Sequence, residues 1–161
     1  MLHLLLEHLA PLDAAARAEA VPHVLTLAEE LPEETETIVA EALAVLGAPT
    51  LTPVFAVDAL AEVPISAEIE PLGRIHGVID RLLVTPEKVI ALDFKSNRTV
   101  PGSPADVPEG LLRQMGAYAA ALTQVFPGRS IETGLVWTAT QELMVLPHDL
   151  VSAALSRTTP T

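Results

Sequence analysis

Cysteine is absent from the 161-residue chain. That removes disulfides, zinc ribbons, cysteine-ligated iron–sulfur clusters and cysteine nucleophiles together. It fits a cytoplasmic protein, the location expected here. No apolar run approaches the roughly 20 residues of a membrane span. The opening residues 1–9 are apolar but carry His3, Glu7 and His8 and have no basic leader, so they do not read as a signal peptide. Positive charge is nearly missing from residues 1–70, which hold 13 acids and the single base Arg17, a net of −12. Residues 71–161 hold 8 acids and 8 bases, a net of zero. The overall −12 speaks against a simple nucleic-acid-coating protein, which would be basic. Six of the nine bases lie between Arg74 and Arg113, so only the second half is suited to face a polyanion. The acidic half reads as a solvated helical surface. No Gly-x-x-x-x-Gly-Lys-[Ser/Thr] phosphate loop occurs, so this chain carries no ATP motor.

Half of the residues are apolar. A chain of this size can bury roughly 70% of its unfolded surface around one core and needs no staple. Residues 1–46 read as three helices. Leu2, Leu5, Leu6 and Leu9 form one helical stripe ended by Pro11. Asp13 is placed to cap a second helix, which Pro22 is expected to break or restart. A third helix over 33–46 is expected to stop at Gly47. Residues 48–53 read as a turn-rich connector. The periodicity then changes, and 62–69, 74–84 and 88–95 are short and β-branched, as strands are. Residues 96–108 hold three prolines and a glycine and read as a loop. A long helix over 109–126, strands over 131–138 and 143–146, and a short helix over 149–155 complete the pattern. This order implies an α/β layer with a mixed or mostly antiparallel sheet.

The informative stretch runs from Gly77 to Asn97. A hairpin centred between Pro86 and Glu87 pairs positions that sum to 173, which sets Asp80 opposite Asp93. Side chains opposed across an antiparallel pair share a face, with Cβ atoms roughly 4.5–5.5 Å apart. Lys95 is two residues beyond Asp93 and points the same way. Two carboxylates about 5 Å apart repel by on the order of 3 kcal/mol at an effective dielectric near 20. A hard divalent ion answers that repulsion, and Mg²⁺ is the usual partner of one or two carboxylates plus phosphate oxygens. A salt bridge to Lys95 at the end of the sheet answers part of it as well. Pairing geometry leaves both readings open.

Asp80 followed by Asp93-Phe94-Lys95 resembles the split signature of the PD-(D/E)XK nuclease superfamily. The motifs Gly77-Val-Ile-Asp-Arg-Leu, Asp93-Phe-Lys-Ser-Asn-Arg and Gln114-Met-Gly-Ala-Tyr118 are similar to those of RecB-type nucleases. Residues 62–150 resemble the C-terminal nuclease domain of AddA-type helicase–nuclease subunits of bacterial double-strand-break repair. The resemblance implies a restriction-endonuclease-like α/β core, with a mixed sheet of about 4–5 strands flanked by helices. Residues 1–50 would be a helical segment of the nuclease domain, 51–155 its core and 156–161 a flexible tail. It further implies that Asp80 and Asp93 are metal ligands, completed by the Phe94 carbonyl. Lys95 would orient the attacking water and stabilise phosphate charge. His3, in Leu2-His-Leu-Leu-Leu, matches a further metal ligand on an early helix, and it shares a helix face with Glu7. Gln114 and Tyr118, i and i+4 on one helix, would help place the DNA strand.

Arg113, Asn97 and Arg98 are candidates for backbone-phosphate contacts. Glu62 reads as a solvated glutamate, and Trp137 and Phe126 as core residues. Position 78 is Val where many relatives carry Arg. The implied activity is exonucleolytic phosphodiester hydrolysis with Mg²⁺, or alternatively Mn²⁺. The implied partners are DNA delivered by a helicase, the rest of an AddA-type protein and an AddB-like subunit. Two rivals stand beside it. One is a non-catalytic DNA-binding or subunit-docking module of the same fold. The other is an unrelated α/β domain whose Asp–Asp–Lys cluster is a salt bridge.

Overall fold

The structure is a computed structural model that describes residues 1–70 and 72–157. The expected flexible tail at 156–161 therefore lies, from 158 onward, outside the described residues; Ser156 ends a helix and Arg157 caps it. The elements are α1 (Leu2–Leu9), α2 (Ala14–Leu25), α3 (Thr35–Gly47), a 3₁₀ helix (Pro49–Phe55), β1 (Leu60–Ile69), β2 (Gly73–Val84) and β3 (Lys88–Lys95). A short 3₁₀ turn (Pro104–Asp106), α4 (Glu109–Val125), β4 (Ser130–Trp137), β5 (Glu142–Leu146) and α5 (His148–Ser156) follow.

The five strands form one sheet in the order β1-β2-β3-β4-β5. Three neighbouring pairs are antiparallel, and β3–β4 is parallel, joined through the loop and α4. A parallel pair needs a long crossover of this kind. The sheet is mixed and covered on both faces. Ile79, Val89, Ala91, Leu135 and Trp137 pack with Met115 and Leu122 of α4 and Val151 of α5. Leu92, Phe94 and Val136 pack with Leu5, Leu6 and Leu9 of α1 and Val45 of α3. β3 is therefore apolar on both sides, as a central strand is. Gly116 lets α5 lie close to α4: a Cβ there would stand 2.4 Å from the Val151 carbonyl oxygen.

Among the helices, Asp13 Oδ1 accepts from the Ala16 amide at 2.9 Å, the expected cap. Pro22 does not break α2, which runs through to Leu25. Tertiary anchors hold the helix on both sides of it. Val24 is buried, and the Arg17 guanidinium donates to the carbonyls of Leu9, Ala10 and Leu46. Arg17, the lone base of the acidic half, thus satisfies the ends of α1 and α3. Gly47 is the last helical residue rather than a left-handed stop, because the chain enters the 3₁₀ helix through an extended Ala48. The connector expected at 48–53 is that 3₁₀ helix. Glu29, Glu30, Glu33, Glu34 and Glu36 are exposed. Trp137 is buried in the core and Phe126 half-buried against it. Among the described residues no single helix is long and apolar enough to cross a membrane.

Candidate metal and phosphate site

β2 and β3 pair from Val84↔Val89 to Arg81↔Leu92, all in the register that sums to 173. The ladder ends one step before Asp80 and Asp93, and there the two strands part. Asp80 Oδ2 instead accepts the Phe94 amide at 2.6 Å. In an extended strand the N–H and C=O of one residue point to the same edge. The Phe94 carbonyl is therefore turned toward β2, into the gap beside Asp80.

The other neighbour of β2 is irregular at the same level. Ala61 pairs with Arg81 and Val63 with Ile79, so Glu62 stands across from Asp80 without a ladder bond. Glu62 has φ +49°, a left-handed conformation that costs a non-glycine residue energy. β2 also changes face here. Gly77 and Ile79 lie against the α4 layer, whereas Arg81 and Leu83 lie on the α1–α3 side. Alternation would keep all four on one face. The irregularity brings Asp80 within reach of both layers.

His3 reaches it from α1, its Nδ1 3.1 Å from Asp80 Oδ1. One ligand atom each of His3, Glu62 and Asp80 lies within 4.8 Å of the others. Glu62 is thus half-buried beside Asp80 and not the solvated glutamate its sequence context implies. Asp93, buried like Asp80, forms an ion pair with Lys95. Lys95 Nζ also donates to Gln114 Oε1 at 3.3 Å. Gln114 Nε2 donates to the Tyr118 hydroxyl at 3.2 Å, which donates to the Val78 carbonyl at 2.9 Å. The i, i+4 pair on α4 thereby ties Lys95 to β2. Tyr118 fits because residue 77 has no side chain: a Cβ there would stand 2.7 Å from the Tyr118 ring. We predict that Gly77→Ala displaces the tyrosine and lowers stability by about 1–3 kcal/mol. Urea unfolding of the two proteins checks this, and an unchanged midpoint would refute it.

The remaining predicted residues lie farther out. Asn97 is exposed on the loop after β3. Arg98 is exposed and pairs with Glu41 at 3.0 Å, and Glu41 also accepts from Thr138 Oγ1. Arg98, Ser96 and His3 line one open groove of about 650 Å³. Arg113 is half-exposed and pairs with Glu109, which also holds Arg157.

Electrostatics follow from burial and crowding of charge. The hydrogen bond to Asp80 holds the His3 imidazole above its usual range, with the nearby carboxylates adding to it against burial. Burial lifts the Glu62 carboxyl, and the Asp80 charge lifts it further. Burial also lifts the Asp93 carboxyl, against the pull of Lys95. Raised carboxyls favour protonation in the folded state, so each costs stability as pH climbs from the unfolded value through the folded one. A raised histidine contributes stability below its unfolded value and loses it as pH rises through the folded one. All three act with the same sign. We predict that the metal-free thermal midpoint falls as pH rises from the ordinary carboxylate range through the histidine range, and falls less in Asp93→Asn. A pH series of melting curves checks it; a midpoint that rises over that interval would contradict it.

The donors here are mostly hard, carboxylate oxygens and a main-chain carbonyl, beside one borderline imidazole nitrogen. Asp80 and Glu62 have no Lys or Arg within ion-pairing distance among the described residues. This set fits an oxygen-preferring divalent cation, of the size and charge of Mg²⁺ or Mn²⁺.

The family model described as PD-(D/E)XK nuclease superfamily matches residues 1–152. Among solved structures, a "Putative exonuclease" from Eubacterium rectale superposes with a TM-score of 0.56 at 13% identity, covering 79% of this chain and 50% of the other. The chain thus spans about half the length of that protein. The structure of SSO0001 has a TM-score of 0.42 at 17% identity, covering 79% of this chain and 70% of the other. No curated protein matches the chain.

Proposed function

The chain belongs to the PD-(D/E)XK nuclease superfamily, and from that membership we propose that it is a metal-dependent nuclease that hydrolyses DNA phosphodiester bonds. The observation that carries the reading is the gathering of His3, Glu62 and Asp80 within 4.8 Å, beside the Asp93–Lys95 pair. His3 and Lys95 each meet part of the negative charge gathered there, and a divalent ion would meet the rest.

In this reading Asp80, Asp93 and the Phe94 carbonyl would hold the ion, together with His3 and Glu62. When bound, the ion polarises a phosphoryl oxygen and supplies a water of lowered pKa. Attack of water on phosphorus breaks one P–O ester bond and leaves a phosphate monoester and a hydroxyl. Lys95 meets the negative charge that builds on the phosphate. Its ammonium is preset for this by Asp93 and by the Gln114–Tyr118–Val78 chain of hydrogen bonds. Asp80 is held from two sides, by the Phe94 amide and His3. Asn97, Arg98 and Arg113 take the phosphates that flank the cut. Engaging DNA with Arg98 and Arg113 requires loosening their bonds to Glu41 and Glu109.

The finer assignment rests on the RecB-type motifs. We place the chain as the exonuclease domain of an AddA-type helicase–nuclease in double-strand-break repair. Residues 1–50 form its helical segment and 51–155 its core. It would use Mg²⁺, or else Mn²⁺, act in the cytoplasm, and work with the motor of AddA and an AddB-like subunit. End-labelled linear DNA incubated with Mg²⁺, with Mn²⁺ or with chelator tests the activity. Shortened fragments that need the metal are expected. Metal-dependent DNA binding with no cleavage would instead leave the docking or binding module.

A further inference from the structure

Phe55 lies outside every motif above, on the 3₁₀ helix that Leu51 and Val54 bury in the α1–α3 layer. Its ring stacks on Phe94, with centroids 5.8 Å apart and planes 13° from parallel. Phe94 in turn meets the His3 ring edge to face, 5.9 Å away at 87°. The Arg81 guanidinium lies over Phe55 at 5.2 Å. Each neighbour of this aromatic row adjoins the proposed metal ligands. Phe94 gives its amide to Asp80, His3 contacts the other Asp80 oxygen, and Arg81 follows Asp80 in the chain.

The Phe94 stretch needs such a support. The β2–β3 ladder has already ended at Leu92, so one main-chain bond to a carboxylate, and not a ladder pair, holds Phe94 to β2. The strand's other edge is paired with β4 as far as Lys95, so on the β2 side the Phe94 side chain adds to that ladder a second restraint on the peptide. A flat ring stacked against another fixes that orientation better than a branched aliphatic chain of similar bulk. From this placement we infer that Phe55 is a positioning residue. It orients the Phe94 peptide and the His3 ring so that carbonyl, imidazole and Asp80 converge on one ion. This rests on the proposed metal reading of the site.

The test uses the full chain and two variants. Phe55→Leu removes the flat ring. Phe55→Tyr keeps it, and Phe55 also lines a pocket with Pro11, Val57 and Arg81. Without metal, amide hydrogen exchange is followed at Phe94 and, one ladder step away, at Leu92. The ratio of the two cancels any general loss of stability. In Phe55→Leu we expect Phe94 exchange to speed up about tenfold relative to Leu92, and Mn²⁺ affinity measured without DNA to fall about tenfold. In Phe55→Tyr both values return to within about twofold of the parent. A Phe55→Leu protein with an unchanged exchange ratio, melting at a lower temperature, would reduce Phe55 to a core residue and overturn the inference. So would equal losses in both variants. A parent chain that binds no Mn²⁺ would refute the metal reading itself, and the exchange ratio would then decide the role of Phe55 alone.

Discussion

Replacing Asp93 with alanine or asparagine is expected to abolish metal-dependent DNA cleavage while the domain stays folded. The loss should exceed about 10³-fold in kcat/KM, or ~4 kcal/mol of transition-state stabilisation at 1.36 kcal/mol per factor of ten. Asp93 is buried and its carboxyl is lifted by that burial, so its charge is held at a cost in the metal-free protein. Removing that charge spares the cost. It also leaves Lys95 without its partner, although Lys95 retains Gln114 and partial exposure to water. These effects oppose each other, and circular dichroism and the melting temperature should change little. Undiminished hydrolysis by either variant would remove Asp93 from the site. An unfolded variant would show that the residue is mainly structural.

Lys95→Met is the second large effect. Methionine keeps the length of the side chain and discards its charge. The ammonium is set against phosphate charge that grows toward the transition state, so kcat should fall about 10²–10³-fold with little change in KM. The Mn²⁺ affinity of the variant should be equal to that of the parent or tighter, because Asp93 loses its competing cation. This combination separates Lys95 from the carboxylates, whose removal weakens the ion itself. A variant that fails chiefly through a raised KM would make Lys95 a DNA-binding residue.

Legibility in the sequence follows the distance over which each feature is determined. The β2–β3 register is local. A tight turn at residues 85–88 fixes which residues pair, and the arithmetic that set Asp80 against Asp93 holds for every rung observed. The spacing of Gln114 and Tyr118 is a property of one helix, and their shared face needs no tertiary information. Glu62 was hidden although its hairpin is as short as the other. Its place beside Asp80 depends on the β1–β2 register and on a left-handed backbone that no side-chain pattern announces. Counting back from Asp80 with the 142 sum of that second hairpin would have located it. Pro22 misleads because α2 is held by Arg17 and Val24, contacts made with other helices and the core. The pairing of Arg98 with Glu41 joins residues far apart in the chain and carries no local signal.

The central claim is that the gap where β2 and β3 part holds one divalent ion. A crystal soaked in Mn²⁺ and measured at the manganese absorption edge tests it most directly. The account predicts a single strong anomalous peak within about 2.0–2.2 Å of an Asp80 oxygen, an Asp93 oxygen and the Phe94 carbonyl. Lys95 would then have withdrawn from the coordinating oxygen of Asp93. A gap without a peak, with Lys95 still paired to Asp93 at saturating Mn²⁺, would contradict it.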